Sequence, residues 1–442
     1  MKFFLLFLTT TALFASMSIE EAWRIVESKN SGMQASKNDM YAAKLKSKSA
    51  KSMYLPSISL SANYTHLDKP VDIDTSSISQ LMAAFSIPFP SSLDLSKEDI
   101  FLADLQMMWP LYVGGKIDAA QDIYSAKVDE AKAMLEMKKD KEFLKLIKYY
   151  YGVVVADSLY KTRQEALSAL QLHYENAQKL AKQGQISKVE LLNAEVKRDA
   201  AKIERDKSAD TLAITKRALA LLTHSEQEIS SKLFVYNKEE KFSYYEDALE
   251  QKSATLSLFD AKSKQTKSLI EIKKAAFKPD VIGFANYNLY RDDSVLMQSL
   301  PNWFAGVMLQ FDILAREDRS EELEIAKLQD SKVVALKKEA LENLKILLEK
   351  SYKEMLSSLK EYRSLDSSLA LAQENYRLRS LSFKEGLVTS SDVVDAELFL
   401  ESVKTKRVNA AYNFVLRLSQ LLVLSGQREK FFEINKEAEI LE

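Results

Sequence analysis

Residues 182–195 read KQGQISKVELLNAE, and residues 384–397 read KEGLVTSSDVVDAE. At a constant offset of 202, Gly184 pairs with Gly386, Ile186 with Val388, Ser187 with Thr389, Glu190 with Asp392 and Ala194 with Ala396. Each phrase is the end of one helix and the start of the next. Glycine closes a helix in the left-handed conformation. Ser187 or Thr389 then caps the following helix, and Glu190 or Asp392 three places on completes a capping box. A second match, PSISLSANY (residues 56–64) against PDVIGFANY (residues 279–287), has an offset of 223. The two matches predict an internally duplicated chain, with a longer loop (residues 66–100) in the first half than in the second (residues 291–302).

Between these marks the chain has little that interrupts a helix. Gly is 9 and Pro 7 of 442 residues, well below ordinary usage. All seven prolines fall at Pro56, Pro70, Pro88, Pro90 and Pro110, then Pro279 and Pro301. Residues 111–278 and 302–442 contain none, so the chain alternates helical and non-helical stretches. An unbroken helix over 116–182 would be ~100 Å long; 319–384 is similar. The second carries a seam of Leu341, Leu344, Leu348, Tyr352, Met355, Leu359, Tyr362, Leu365, Leu369, Ala372 and Tyr376, spaced as in a coiled coil. Shorter helices are expected at about 187–223, lined by Leu192, Val196, Ala200 and Ile203, and at about 389–425, lined by Ala396, Leu400, Val403, Ala410, Phe414, Leu418 and Leu421. Residues 18–54 and 244–276 read as amphipathic helices preceding the strands.

The proline windows have a period of two instead. Ile58, Leu60, Ala62 and Tyr64 alternate with Ser57, Ser59, Ser61, Asn63 and Thr65. Phe101 to Val113 and Trp303 to Ile313 take every second place in the same way, while 279–290 alternates less cleanly because Ile282 and Phe284 intervene. Four strands follow, at about 57–65, 102–113, 279–290 and 303–313, each long enough to cross a membrane when tilted. A four-stranded sheet leaves two raw edges, so the chain needs partners to close it.

Residues 1–16 (MKFFLLFLTTTALFAS) have the charged start, short apolar run and small-residue end of a secretory signal peptide. The 62 basic and 63 acidic residues nearly cancel, which offers no bulk attraction to nucleic acid. Absent cysteine removes thiol chemistry, disulfides and cysteine-ligated metals. His66, His173 and His224 lack metal-ligand spacing and read as surface or loop residues. No phosphate-cradling glycine loop is present, since Gly114-Gly115 lacks the Lys-Ser/Thr that should follow. No enzyme, no metal site and no cofactor are expected.

The layout resembles the TolC-like outer-membrane efflux protein family across nearly all of residues 17–426. The tip pattern G-x-[ILV]-[ST]-x-x-[DE], present twice, and the strand-to-helix run WPLYVGG (residues 109–115) carry the resemblance. It implies a mainly α protein with a transmembrane β-barrel: a homotrimer in which each chain gives four strands to one twelve-stranded barrel, continued by a periplasmic α-helical coiled-coil tunnel. The divisions are then a first repeat over 17–223, an equatorial connector at 224–243, a second repeat over 244–426 and a tail at 427–442. The implied function is the exit duct of a tripartite efflux or type I secretion system, in the outer membrane and reaching into the periplasm. Its partners would be outer-membrane lipid, a periplasmic adaptor and an inner-membrane transporter of RND or ABC type.

Site residues follow from the same resemblance. Asp392 and Asp395, with Glu190, would ring the periplasmic aperture. Gly184, Gln185, Ile186, Ser187, Gly386, Leu387, Val388 and Thr389 would meet the adaptor. Trp109, Trp303, Tyr64 and Tyr287 would mark the membrane interfaces. Val388 replaces a family arginine and Phe383 a tyrosine that help hold the closed state, and Ala315-Arg316 answers Gly114-Gly115, so these features must be built differently here. A competing reading is an exported coiled-coil scaffold or adaptor without a pore.

Overall fold

The structure is a computed structural model describing residues 16–238, 240–313 and 318–440. The body of the signal peptide and the Ala315-Arg316 comparison lie outside the described residues.

In chain order the elements are α1 (Ile19–Lys29), α2 (Ser31–Ala50), β1 (Ser57–His66), β2 (Asp72–Asp74), α3 (Ser76–Ala83), β3 (Ser92–Asp94), β4 (Asp99–Val113), α4 (Lys116–Lys182) and α5 (Lys188–Thr223). They continue with β5 (Phe234–Val235), α6 (Phe242–Lys252), α7 (Ala254–Ala275), β6 (Asp280–Arg291), α8 (Val295–Ser299), β7 (Trp303–Gln310), α9 (Arg319–Lys384), α10 (Ser390–Leu424), α11 (Lys430–Glu437) and β8 (Glu439–Ile440). The chain is mainly helical with a small sheet, and α4 and α9 run unbroken for 67 and 66 residues. Both amphipathic stretches expected before the strands are divided in two, at Asn30 and at Ser253, whose backbones turn extended. No helix among the described residues is long and apolar enough to cross a membrane.

The chain forms two compact units. The first comprises Met1–Met40, Glu130–Phe259 and Leu336–Glu442. Its core is aromatic. Phe143, Leu146, Ile147, Tyr150 and Tyr151 recur along one face of α4 and are fully buried. Trp23 meets Phe143 edge-on at 5.3 Å, and Phe431 and Phe432 of α11 meet it at 5.6 and 5.7 Å. Buried tyrosine hydroxyls need partners: Tyr150 donates to the Met17 carbonyl at 2.7 Å, and Tyr151 to Asn435 at 2.8 Å. The unassigned connector 224–243 is thus drawn in, with Phe234 buried and β5 paired antiparallel to β8 of the tail. Arg428 bridges Asp140 at 2.7 Å and Glu136 at 3.2 Å.

The α9 seam faces this interior: Leu348, Met355, Leu359, Tyr362 and Ala372 are buried, and Leu341, Leu344, Tyr352, Leu365, Leu369 and Tyr376 pack against the buried clusters. On α5 the expectation fails. Val196 is 63% and Ile203 55% exposed, and Leu192 is exposed too; the helix buries Ala194, Leu219 and Leu222 instead. The stripe is apolar, but nothing among the described residues covers it.

The second unit comprises Tyr41–Asp129 and Asp260–Ala335. It holds an antiparallel sheet in the order β1-β4-β6-β7. The register aligns the alternations: Leu60, Leu105, Tyr287 and Trp303 form one row, and Ile58, Met107, Ala285 and Ala305 the next. One face is therefore apolar from edge to edge. The other carries a middle band of Ser59, Ser61, Asp104, Gln106, Asn286 and Asn288, with Phe304 in the Asn286 row and Leu102 and Ile100 nearer the loops. Toward the helix end it turns apolar at Met108, Phe284 and Met308, so the polar face is shorter than the β1 sequence suggested. Phe284 lies over Gly306, whose absent Cβ would sit 2.7 Å from the ring. The long loop contains β2, α3 and β3, and Leu296 of the second loop donates its N–H to Leu95 at 2.8 Å.

Gly426 gives a direct test of the first unit's packing. It closes α10 at φ +65°, and a Cβ there would lie 2.5 Å from the Lys252 carbonyl oxygen. Gly426→Ala is expected to cost on the order of 1–3 kcal/mol, read as a lower Tm of the purified protein, with Gly184→Ala, where space is open, costing less.

Candidate functional site: the helix-hairpin tips

Both tips have the turn that the glycine spacing implied. Gly184 and Gly386 adopt φ +70° and +72°. Gln185 donates its N–H to Leu180 at 2.9 Å and Leu387 donates to Ser382 at 3.0 Å, which satisfies carbonyls that a helix end leaves open. The next helices differ. Thr389 accepts from the Asp392 N–H, and the Asp392 carboxylate accepts from the Thr389 N–H and hydroxyl at 2.8 and 2.7 Å, a complete capping box. Ser187 accepts from the Glu190 N–H at 3.2 Å, but no return bond from the Glu190 carboxylate forms. The box expected there is half made, unlike the full Ser18–Glu21 box that starts α1.

This separates the three acidic residues assigned to the aperture. The Asp392 carboxylate is held below the usual range by the Thr389 hydroxyl, then by the Thr389 N–H, with Arg379 at 3.6 Å adding to it. Asp395, one turn on, is exposed. Glu190 is half-buried.

The tips are packed together rather than free. Ala177, Ala194, Phe383 and Val393 form a buried cluster, with Ile186, Val388, Leu180, Leu191, Tyr174 and Tyr376 against it. Ile186 and Val388 are therefore half-buried core residues, while Gly184, Gln185, Ser187, Gly386 and Thr389 are exposed and Leu387 is 77% exposed. Phe383 is buried, so it serves the cluster and is not a surface latch. A groove of about 400 Å³ beside it is lined by Leu172, His173, Asn176, Tyr376, Leu381 and Lys384 among others.

Two groups here escaped sequence reasoning. His173, read as a surface residue, is 5% exposed; its Nε2 shares a 2.7 Å hydrogen bond with Ser390 Oγ, and its ring lies 4.5 Å from that of Phe383. Burial pulls its pKa down to about 4. Its place between apolar Leu172 and aromatic Tyr174 gave no sign of the facing helix. Of the other histidines, His66 is exposed beside Asp99 at 2.9 Å, and His224 caps α5 at φ +51°. Glu397, matched by Glu195 in the first repeat, is 5% exposed, and burial pushes its pKa up to about 7 despite Lys404. Glu401, one turn on, is paired with Arg163. Among the described residues no group of three or more His, Cys, Asp or Glu side chains is placed to hold a metal ion.

The aromatics assigned to the membrane interfaces lie at three levels of the sheet, with Tyr287 and Trp303 in the Leu105 row between the other two. Tyr64 packs on Phe101 at 4.9 Å near the loop end, and Tyr287 and Trp303 pair across β6 and β7. Trp109, toward the helix end, donates its ring N–H to Tyr54 at 3.0 Å. Eight residues separate Phe101 from Trp109, about 26 Å along a strand.

Residues 25–223 match the family model for outer membrane efflux proteins. The match covers somewhat under half of the chain, and over those residues the chain is similar to outer membrane efflux proteins. The fold is shared with solved structures: the outer membrane protein VceC from Vibrio cholerae (16% identity, 92% of this chain and 96% of that one, TM-score 0.76) and the CmeC outer membrane channel of Campylobacter jejuni (13%, 96% and 91%, 0.76). The open state of the MtrE outer membrane channel of Neisseria gonorrhoeae is similar at 15% identity, 93% and 89% coverage and TM-score 0.72. No curated protein sequence matches the chain.

The two buried groups titrate in opposite senses. Glu397 stabilises the tip cluster below about pH 4.5, and that contribution is lost as pH rises through about 7. The His173 contribution is present above about pH 6.5 and is lost as pH falls through about 4. Between about pH 4.5 and 6.5 the two slopes oppose each other. Local opening of the tip, measured by hydrogen exchange corrected for intrinsic rates, should be nearly flat with pH in the parent chain. With Glu397→Gln, tip protection should rise by roughly tenfold per pH unit, and with His173→Gln it should fall as steeply.

Proposed function

We propose that this chain is the exit duct of a tripartite efflux or type I secretion machine, working as a homotrimer. The observation that carries the reading is the sheet: one face apolar from edge to edge, with β1 and β7 unpaired on their outer sides among the described residues. Three copies would join β1 of one to β7 of the next and close a twelve-stranded barrel, which removes every edge. The apolar face then meets outer-membrane lipid and the polar face lines a wet lumen. A pore-free coiled-coil scaffold or adaptor has no use for such a sheet. The uncovered α5 stripe gains a partner in a neighbouring copy. The two repeats, the belt formed by residues 224–243 and 427–442, and the removal of residues 1–16 on export belong to the same reading.

Energy and choice of cargo, small molecules or proteins, come from an inner-membrane pump of RND or ABC type. A periplasmic adaptor couples that pump to the tips, where exposed Leu387 and the neighbouring groove offer apolar contact. Asp395 acts as the aperture carboxylate. Asp392, tied to Thr389 and Arg379, contributes less, and Glu190 less again. Rings of carboxylates favour cations and repel one another, which biases the aperture toward opening.

A photoprobe confined to the bilayer should label Leu60, Leu111 and Leu309 and spare Ser59 and Ser61; three unlabelled leucines would overturn the barrel. In planar-bilayer recordings, Asp395→Asn should lower cation preference more than Asp392→Asn does, while Asp392→Asn should destabilise the α10 start by about 1 kcal/mol through its lost cap.

A further inference from the structure

Apart from Asp99, Asp280, Arg291 and His66 at strand ends, the four strands carry one charged side chain, Asp104. It lies on the polar face of β4, in the row Ser61, Asp104, Asn288. The pairing of β4 with β6 shifts register between Ala103 and Asp104, with Leu289 of β6 as the extra residue. Asp104 is only 4% exposed. Ser61 Oγ donates to its carboxylate at 2.6 Å, and Gln106 Nε2 donates at a long 3.4 Å. One row away, the buried Asn286 Oδ1 has no hydrogen-bond partner. No Lys or Arg lies within the strands except terminal Arg291, which is bonded to Leu300 O and Asn302 Oδ1 in the loop. The cluster is thus rich in acceptors and has no fixed cation among the described residues.

A charge at membrane depth costs several kcal/mol unless it is paired or faces water. Holding β1 to β4 does not require one, since an Asn or Thr could meet Ser61 at a smaller desolvation cost. What the carboxylate alone adds is field. The apolar outer face makes the wall a low-dielectric sheet, and such a wall focuses the field of its charges into the water it encloses.

We propose that Asp104, repeated in every copy, forms an acidic ring on the barrel lumen that favours cationic over anionic solutes through its field. The inference rests on the duct reading and adds to it a determinant of the solute class in the membrane-spanning part, separate from the tip aspartates. Ser61 and Gln106 position the carboxylate.

The test uses the purified full-length protein in planar bilayers, with reversal potentials measured in a KCl gradient. A chain carrying Asp392→Asn and Asp395→Asn should keep a residual preference for K⁺, and adding Asp104→Asn should lower the K⁺/Cl⁻ permeability ratio by roughly twofold or more. Gln106→Lys, which places a cation beside the carboxylate, should reproduce that loss, so the inference stands or falls even where Asp104→Asn does not assemble. Ser61→Ala keeps the charge and should keep the preference while lowering stability, which a purely register-pinning role for Asp104 would not separate. Channels that open normally with an unchanged ratio in Asp104→Asn and Gln106→Lys overturn the acidic ring and leave the duct intact. A parent chain that opens no channel overturns both.

Discussion

An antiparallel sheet of four strands leaves two rows of backbone N–H and C=O groups without partners, and this sheet cannot curl onto itself to hide them. In water such edges are a hazard; at the depth of a bilayer they are forbidden, because lipid offers no hydrogen bonds in exchange. The apolar face makes matters worse for a single chain in solution, since the same row that places Leu60 beside Leu105 also places Tyr287 beside Trp303. The homotrimer proposed above would remedy both by adding further copies edge to edge. The uncovered α5 stripe of Leu192, Val196 and Ile203 has the same character. Helix and sheet alike are built with surfaces that a lone chain leaves unfinished.

Much of this was legible in the residues because long elements need few interruptions. The prolines located the strands, the period of two located their faces, and two glycines located the tips. Sequence reasoning failed where the outcome depends on what lies across from a residue. His173 has a polar ring in a helix of mixed composition, and only the facing Ser390 and Phe383 make it a core residue. Val196 and Ile203 have the spacing of a buried seam, yet spacing cannot say whether the covering helix belongs to the same chain. The connector near Phe234 gave no period at all, because a two-residue strand paired with the chain's far end leaves no local trace. On the sheet, the Ser/Asn alternation of β1 suggested a polar face throughout, but Phe284 and Met308 on the paired strands end it partway.

Capping and charge compete for the same carboxylates at the tips. A capping acid folds back on its own helix, as Glu21 does on Ser18 and Asp392 on Thr389, whereas the proposed aperture needs one that points away. The Asp392 carboxylate is committed to Thr389, so its charge is partly spent on local structure. Asp395 sits too far along the helix to reach the cap, and its charge stays available to solvent. At the first tip the longer Glu190 makes no return bond, and that helix start rests on Ser187 alone.

The two tips, matched residue for residue in sequence, are therefore not equivalent surfaces. Gln185 stands where the second tip has Leu387, and Lys188 stands where it has Ser390. The second substitution matters inside the molecule: the Ser390 hydroxyl bonds the buried His173, a contact that a lysine in its place could not make without burying a charge. The first matters outside, because a largely exposed leucine at a turn gains nothing from its own chain. An adaptor reading both tips would meet a polar one and an apolar one, and a partner whose repeated element differed in the same way from copy to copy would fit them in only one order.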